Sequence, residues 1–76
     1  MKELPQKWSD FLRGQPETGM GYQVISVTLN DGRSIEDIAV VESHIISEVR
    51  GQIDVSFDPN DITAVQVTHR KWQFKR

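Results

Sequence analysis

The stretch Tyr22-Gln23-Val24-Ile25-Ser26-Val27-Thr28-Leu29-Asn30-Asp31-Gly32-Arg33-Ser34-Ile35-Glu36-Asp37-Ile38-Ala39-Val40-Val41-Glu42 decides the fold. Ile25, Val27 and Leu29 alternate with Ser26, Thr28 and Asn30, the period of two that marks a strand with one buried face. Tyr22 and Val24 give the second face an apolar start. Asp31-Gly32 follows directly, a strong hairpin signal because a type I′ turn needs positive φ at both central residues. The return strand, Arg33 to Glu42, changes phase: Ile35 belongs to one frame, Ile38 and Val40 to the other, with Glu36-Asp37 between them. A bulge or sharp bend at that point reconciles the two frames, and small barrels turn corners in this way.

Beyond the hairpin, Ser43-His44 predicts a second turn and Ile45 to Arg50 a third strand, with Ile45 and Val49 on one face. Gly51 ends it, and the alternation of Ile53, Val55 and Phe57 admits a short fourth strand over 52–57. In Asp58-Pro59-Asn60-Asp61, Asp58 fits an N-cap, Pro59 a first helical residue and Asp61 the acidic third position of a capping box. One helical turn over 59–62 then feeds Ile62 toward the core. Thr63 to His69 is the last strand, with Val65 and Val67 inward.

Before the hairpin, Pro5 suits a first helical position, and Leu4, Trp8, Phe11 and Leu12 recur at spacings that place them on one stripe. A helix over 5–13 results, with Lys7, Asp10 and Arg13 on its other side and Gly14 as its stop. It is too short to stand alone, so it must dock on the sheet, with Trp8 and Phe11 as its anchors. Residues 15–20 read as a loop, with Gly19-Met20-Gly21 as its hinge: those glycines precede a strand, whereas a phosphate cradle needs a helix directly after them.

Composition agrees. Seven Ile and eight Val supply most of the apolar side chains, against three Leu and two Ala, and stiff β-branched residues fit a pleated, half-buried surface. With 76 residues the chain makes one domain, 1–76, too small to wall a deep dry cavity by itself. The fold class expected is α+β, mainly β: a small, strongly bent antiparallel sheet or SH3-like partly open barrel carrying an N-terminal helix. The meander runs over 21–69 and a basic aromatic tail over 70–76. A plain layer with a four-stranded sheet is the alternative.

The stretch Gly19-Met20-Gly21-Tyr22, the Asp31-Gly32-Arg33 hairpin, Arg50-Gly51 and Val67-Thr68-His69-Arg70-Lys71-Trp72 resemble a family of small uncharacterised bacterial proteins. The resemblance implies a compact β-rich domain of the SH3-like, small-barrel type in a bacterial cytoplasm. It brings no activity, ligand or site residue.

Several kinds of chemistry are excluded or disfavoured. With no Cys, the chain offers no disulfide, thiolate zinc site, iron–sulfur ligand or thiol nucleophile. His44 and His69 stand 25 positions apart with no metal-ligand spacing between them, so neither a metal nor another cofactor is expected. Glu42, Ser43 and His44 are triad residue types, yet neighbours on an extended chain point to opposite faces. Glu36-Asp37 could form a carboxylate pair, but charges guarding a sheet edge explain them more cheaply. Asp54, Asp58, Asn60 and Asp61 lack the ligand series of a calcium loop. No catalytic residue is assigned, and the chain is expected not to be an enzyme. Met1 to Ser9 has no apolar h-region, and the longest apolar run, Ile38-Ala39-Val40-Val41, is far short of a span. A cytoplasmic protein without a membrane partner is expected.

Charge separates along the chain. Residues 14–69 carry Arg33 and Arg50 against nine carboxylates, a balance of −7, while Arg70, Lys71, Lys75 and Arg76 give the last seven residues +4. Those cations interleave with Trp72 and Phe74, a pattern suited to single-stranded nucleic acid, with Arg33 and Arg50 as helpers. The favoured reading is that the aromatics complete the fold and the cations meet the acidic body, which would itself repel a nucleic-acid strand. The function expected is therefore a non-enzymatic binding or regulatory module acting through protein–protein contacts, with itself or another protein. Single-stranded nucleic-acid binding through Arg70, Lys71, Trp72, Phe74, Lys75 and Arg76 is the alternative.

Replacing Asp58 with Ala should cost roughly 1 kcal/mol, the usual loss for an N-cap, read as a lowered urea midpoint.

Overall fold

The computed structural model describes residues 2–16, 21–52 and 54–68. In chain order it contains β1 (Lys2–Glu3), α1 (Gln6–Arg13), β2 (Tyr22–Leu29), β3 (Ser34–Val41), β4 (Ile45–Val49), a 3-10 turn (Pro59–Asp61) and β5 (Ile62–Val67). The strands form one antiparallel sheet in the order β1-β4-β3-β2-β5. It is strongly curled, a half-barrel with the N-terminal helix packed on it, as expected.

The phase change in the return strand is a bulge. Ile25 faces Ile38 and Val27 faces Ile35, so Ser26 stands opposite two residues, Glu36 and Asp37. Asp37 takes φ 57, and its carbonyl accepts from the Arg50 N–H at 2.8 Å. Two further register shifts follow. Ala39 faces Glu48 and Val40 faces Ile46, leaving Ser47 as an extra residue. Leu29 faces Ile62 and Thr28 faces Ala64, leaving Thr63, whose hydroxyl donates to the Thr28 carbonyl at 3.2 Å. Each extra residue bends its strand and raises the local twist, which curls the sheet. The Ser47 bulge also corrects the expected face of β4: Ile46 and Val49, not Ile45 and Val49, are the pair that reaches the core.

The turns exchange roles relative to expectation. Asp31 is not at positive φ; the loop is Asn30-Asp31-Gly32, closed by Leu29 N–H to Arg33 carbonyl at 2.8 Å, with Gly32 N–H bonded to Leu29 carbonyl and only Gly32 left-handed, at φ 91. That is the three-residue hairpin in which a turn is followed by a glycine bulge. Positive φ at both central residues occurs instead in Val41–His44, where Glu42 and Ser43 take φ 58 and 59, and at Arg50-Gly51, with φ 54 and 81. The second of these closes Val49 onto Gln52 by reciprocal bonds of 2.8 and 3.0 Å. Among the described residues 52–57, that single bridge replaces the short fourth strand; Ile53 lies outside them.

The 3-10 turn keeps its cap: Asp58 Oδ1 accepts from the Asn60 N–H at 2.9 Å and Pro59 is the first helical residue. The turn ends at Asp61, one residue earlier than read. The box is not closed by Asp61, whose Oδ1 accepts from Asn30 Nδ2 at 3.3 Å and so ties this turn to the hairpin loop.

The helix begins at Gln6, with Pro5 as its flanking residue. Leu4 and Leu12 join Ile25, Val27, Leu29, Ile38, Val40, Ile46, Val49, Phe57, Ile62 and Val65 in one core, with Trp8 packed against it. Phe11 does not anchor the helix. At 39% exposure it is the exposed large apolar side chain of the described residues, set edge-on to Trp8 at 6.2 Å. Ser9 and Leu12, three apart, take the sheet-facing position, which rotates Phe11 toward solvent.

Leu12→Ala should cost about 2–5 kcal/mol, and Phe11→Ala less than about 1 kcal/mol, by urea denaturation.

Candidate functional site

The sequence places its binding residues, Arg70, Lys71, Trp72, Phe74, Lys75 and Arg76, outside the described residues, together with His69 and most of the Gly19-Met20-Gly21 hinge. The other polar candidates are spread over the turns, the β3 bulge and the 3-10 cap.

Glu42, Ser43 and His44 occupy the tight turn between β3 and β4. The Ser43 hydroxyl donates to Gln23 Oε1 at 3.3 Å and its carbonyl accepts from Ser9 Oγ at 2.8 Å. His44 Nε2 lies 3.1 Å from Glu3 Oε1, and its Nδ1 is buried without a hydrogen-bond partner. The His44 carbonyl accepts from the Leu4 N–H at 2.8 Å, so this turn holds the N-terminal segment on the sheet. Serine and histidine thus face different partners, and the arrangement a nucleophile and its base require does not form here.

Glu36 and Asp37 sit at the β3 bulge. Arg50, in the turn beyond β4, joins Ile35, Val49, Gln52, Asp54 and Ser56 around an open depression of about 450 Å³ with Ile35 and Val49 as its apolar part. Arg33 is engaged locally: Asp31 accepts from its backbone N–H at 3.0 Å and from its Nε at 2.7 Å. The backbone bond, against some opposing desolvation and with help from the guanidinium, holds the Asp31 carboxyl below its ordinary value. Asp58 caps the 3-10 turn, and Asp61 accepts from Asn30 of the hairpin loop. Among the described residues no three His, Asp or Glu side chains gather as metal ligands, and no helix is long and apolar enough to cross a membrane.

One functional polar group escaped the sequence reading. Gln23 is 1% exposed, and its Nε2 faces the carbonyls of Leu12, Gln15 and Pro16 at 2.9, 3.3 and 3.4 Å. Three acceptors on one side fix the orientation of the amide. The signal was present: Gln23 shares the phase of Ile25, Val27 and Leu29, so period two places it inward. Its role is to hold the helix end. The two edge strands differ sharply from each other. β1 is two residues long and both are charged, whereas β5 is six residues, Ile-Thr-Ala-Val-Gln-Val, without charge or proline.

Comparison of the chain with protein-family models, curated proteins and solved structures finds no match.

Gln23→Leu should destabilise by about 1–3 kcal/mol, because the Ser43 hydroxyl loses its acceptor and the Leu12 carbonyl keeps only the Gln15 N–H. Gln23→Glu, equal in size, should cost more, since its carboxylate would face three carbonyls. Urea midpoints of the two variants check the order.

Proposed function

We propose that this chain is a small non-enzymatic binding module, an SH3-like barrel of a bacterial cytoplasm that acts through protein–protein contacts. The observation that carries the reading is the β5 edge. Sheet edges present unpaired N–H and C=O groups, and proteins ordinarily blunt them with short strands, charge or proline. β1 has the first two of these protections, whereas β5 has none of the three and is altered only by the bulge at Thr63, near its start. An uncharged edge of this length is suited to accept another strand by main-chain hydrogen bonds. Of the polar side chains weighed for chemistry, Ser43 holds the β3–β4 turn to Gln23 and Asp58 caps the 3-10 turn. The −7 balance of residues 14–69 disfavours a polyanionic partner.

A titration with oligo-U at low salt separates this reading from nucleic-acid binding. Negligible binding is expected. Micromolar affinity that falls with salt, by a log–log slope of about −0.7 per phosphate contacted, and that flattens in Lys71→Gln/Lys75→Gln, would overturn it.

A further inference from the structure

We infer that the sheet carries a second, smaller apolar cluster on its outer face, and that residues 69–76 of this chain dock on it through Trp72 and Phe74. The site lies within one chain and is separate from the β5 edge.

Alternation and register define the face. On β2, Tyr22 and Val24 point away from the side taken by Gln23 and Ile25. Directly paired residues share a face, so Val24 brings Ala39 with it and Ala39 brings Glu48; likewise Tyr22 brings Val41, and Val41 brings Ile45. Thr68 closes the row on the other side, its N–H and its hydroxyl both donating to the Val24 carbonyl at 2.9 Å.

This face is covered. Val24 and Ala39 are only 4% and 2% exposed, yet neither belongs to the core cluster. Leu12 and Trp8 of α1, with Val55 and Phe57, pack on the opposite face. Tyr22, Val41, Ile45, Glu48 and Thr68 are all half-buried, whereas Ala64 and Gln66, farther along the same outer face, are exposed. A bare sheet face leaves its side chains in water, so burial confined to one end requires a cover there. Tyr22, Val24, Glu48 and Thr68 each engage a further polar, ring or electrostatic partner as well.

Two segments outside the described residues border this end of the sheet: 17–20, which leads into Gly21-Tyr22, and 69–76, which follows Thr68. The first offers one large apolar side chain, Met20, and a like charge, Glu17. The second offers Trp72 and Phe74, each able to bury about 150–250 Å². Its charge of +4 complements Glu48 on the face and the −7 of residues 14–69. Its reach suffices. Ala39 lies two strands from Thr68, about 10 Å, and the four residues from Thr68 to Trp72 span up to about 13 Å. Docked there, the two aromatics complete a second small core and are not free to stack on bases.

NOE spectroscopy of the full chain with labelled Val, Ala and Ile methyls tests this. Cross-peaks are expected from the Trp72 and Phe74 rings to the methyls of Val24, Ala39 and Val41. A mixture of labelled and unlabelled chains should show none between copies. Trp72→Ala/Phe74→Ala should raise the unfolding equilibrium constant, read by urea denaturation, at least about a hundredfold. Rings that contact Phe11 and Trp8 instead, outer-face methyls that contact Met20 instead, or cross-peaks between copies each overturn the inference. So does a double variant as stable as the parent. The oligo-U titration judges the protein-binding reading separately.

Discussion

A single buried carboxamide sets the arrangement of this molecule. Gln23 occupies an inward position on β2, in line with Ile25, Val27 and Leu29, and its amide meets the carbonyls at the C-terminal end of α1. A helix of eight residues ends with carbonyls that have no partner within it, and those pressed against a core must find one elsewhere. Gln23 supplies it. The other end of the same amide accepts from Ser43, whose carbonyl in turn accepts from the fully buried Ser9 of the helix. The β3–β4 turn is consequently a hub: it receives the helix through Ser43, and Leu4 and Glu3 through His44. These bonds tie the helix, the turn and the first strand to one another, with His44 Nδ1 left as a buried atom without a partner.

The second constraint is curvature. Five strands cannot enclose one small core while flat, and three extra residues, at Glu36-Asp37, Ser47 and Thr63, supply the bends. The backbone is strained in places as a result. Asp37, Glu42, Ser43 and Arg50 all hold left-handed φ without being glycine, a conformation that costs of order 1 kcal/mol or more each and persists only where neighbours enforce it. The Asp37 carbonyl and the Arg50 N–H enforce each other. Among the described residues the sheet is open, with a short charged edge at β1 and a longer uncharged one, bulged at Thr63, at β5.

Much of this architecture was legible from neighbours in the chain. Alternation in Tyr22–Leu29, the phase slip at Glu36-Asp37, the Asp58-Pro59 cap and the eight-residue helical stripe are all written in spacings of two to four residues. Each was found within a residue or two of its observed position. Those features follow from backbone sterics and local hydrogen bonding, which act at that range. The site was less legible. The residues proposed from sequence lie in 70–76, outside the described structure, and the edge on which the functional reading now rests has no motif, because main-chain groups are the same at every position.

What the sequence by itself determined is the helix, the strands β2 to β5, the capped 3-10 turn and the bulge that bends the main hairpin, since a hydrophobic frame that changes phase admits no straight strand. What only the tertiary structure decided is which residue serves which surface. Phe11 and Ser9 lie on one short helix, and periodicity favoured the aromatic as anchor; the hydrogen bond from Ser9 to Ser43, 34 residues away, turns the helix the other way. Lys2 and Glu3 become a strand because Ile45 and Ile46 offer them an edge. The left-handed turn falls at Glu42-Ser43, not Asp31-Gly32, because β3 and β4 must meet in the register their core residues demand. In each case the deciding partner is distant in sequence, and a contact made across that distance leaves no trace in local spacing.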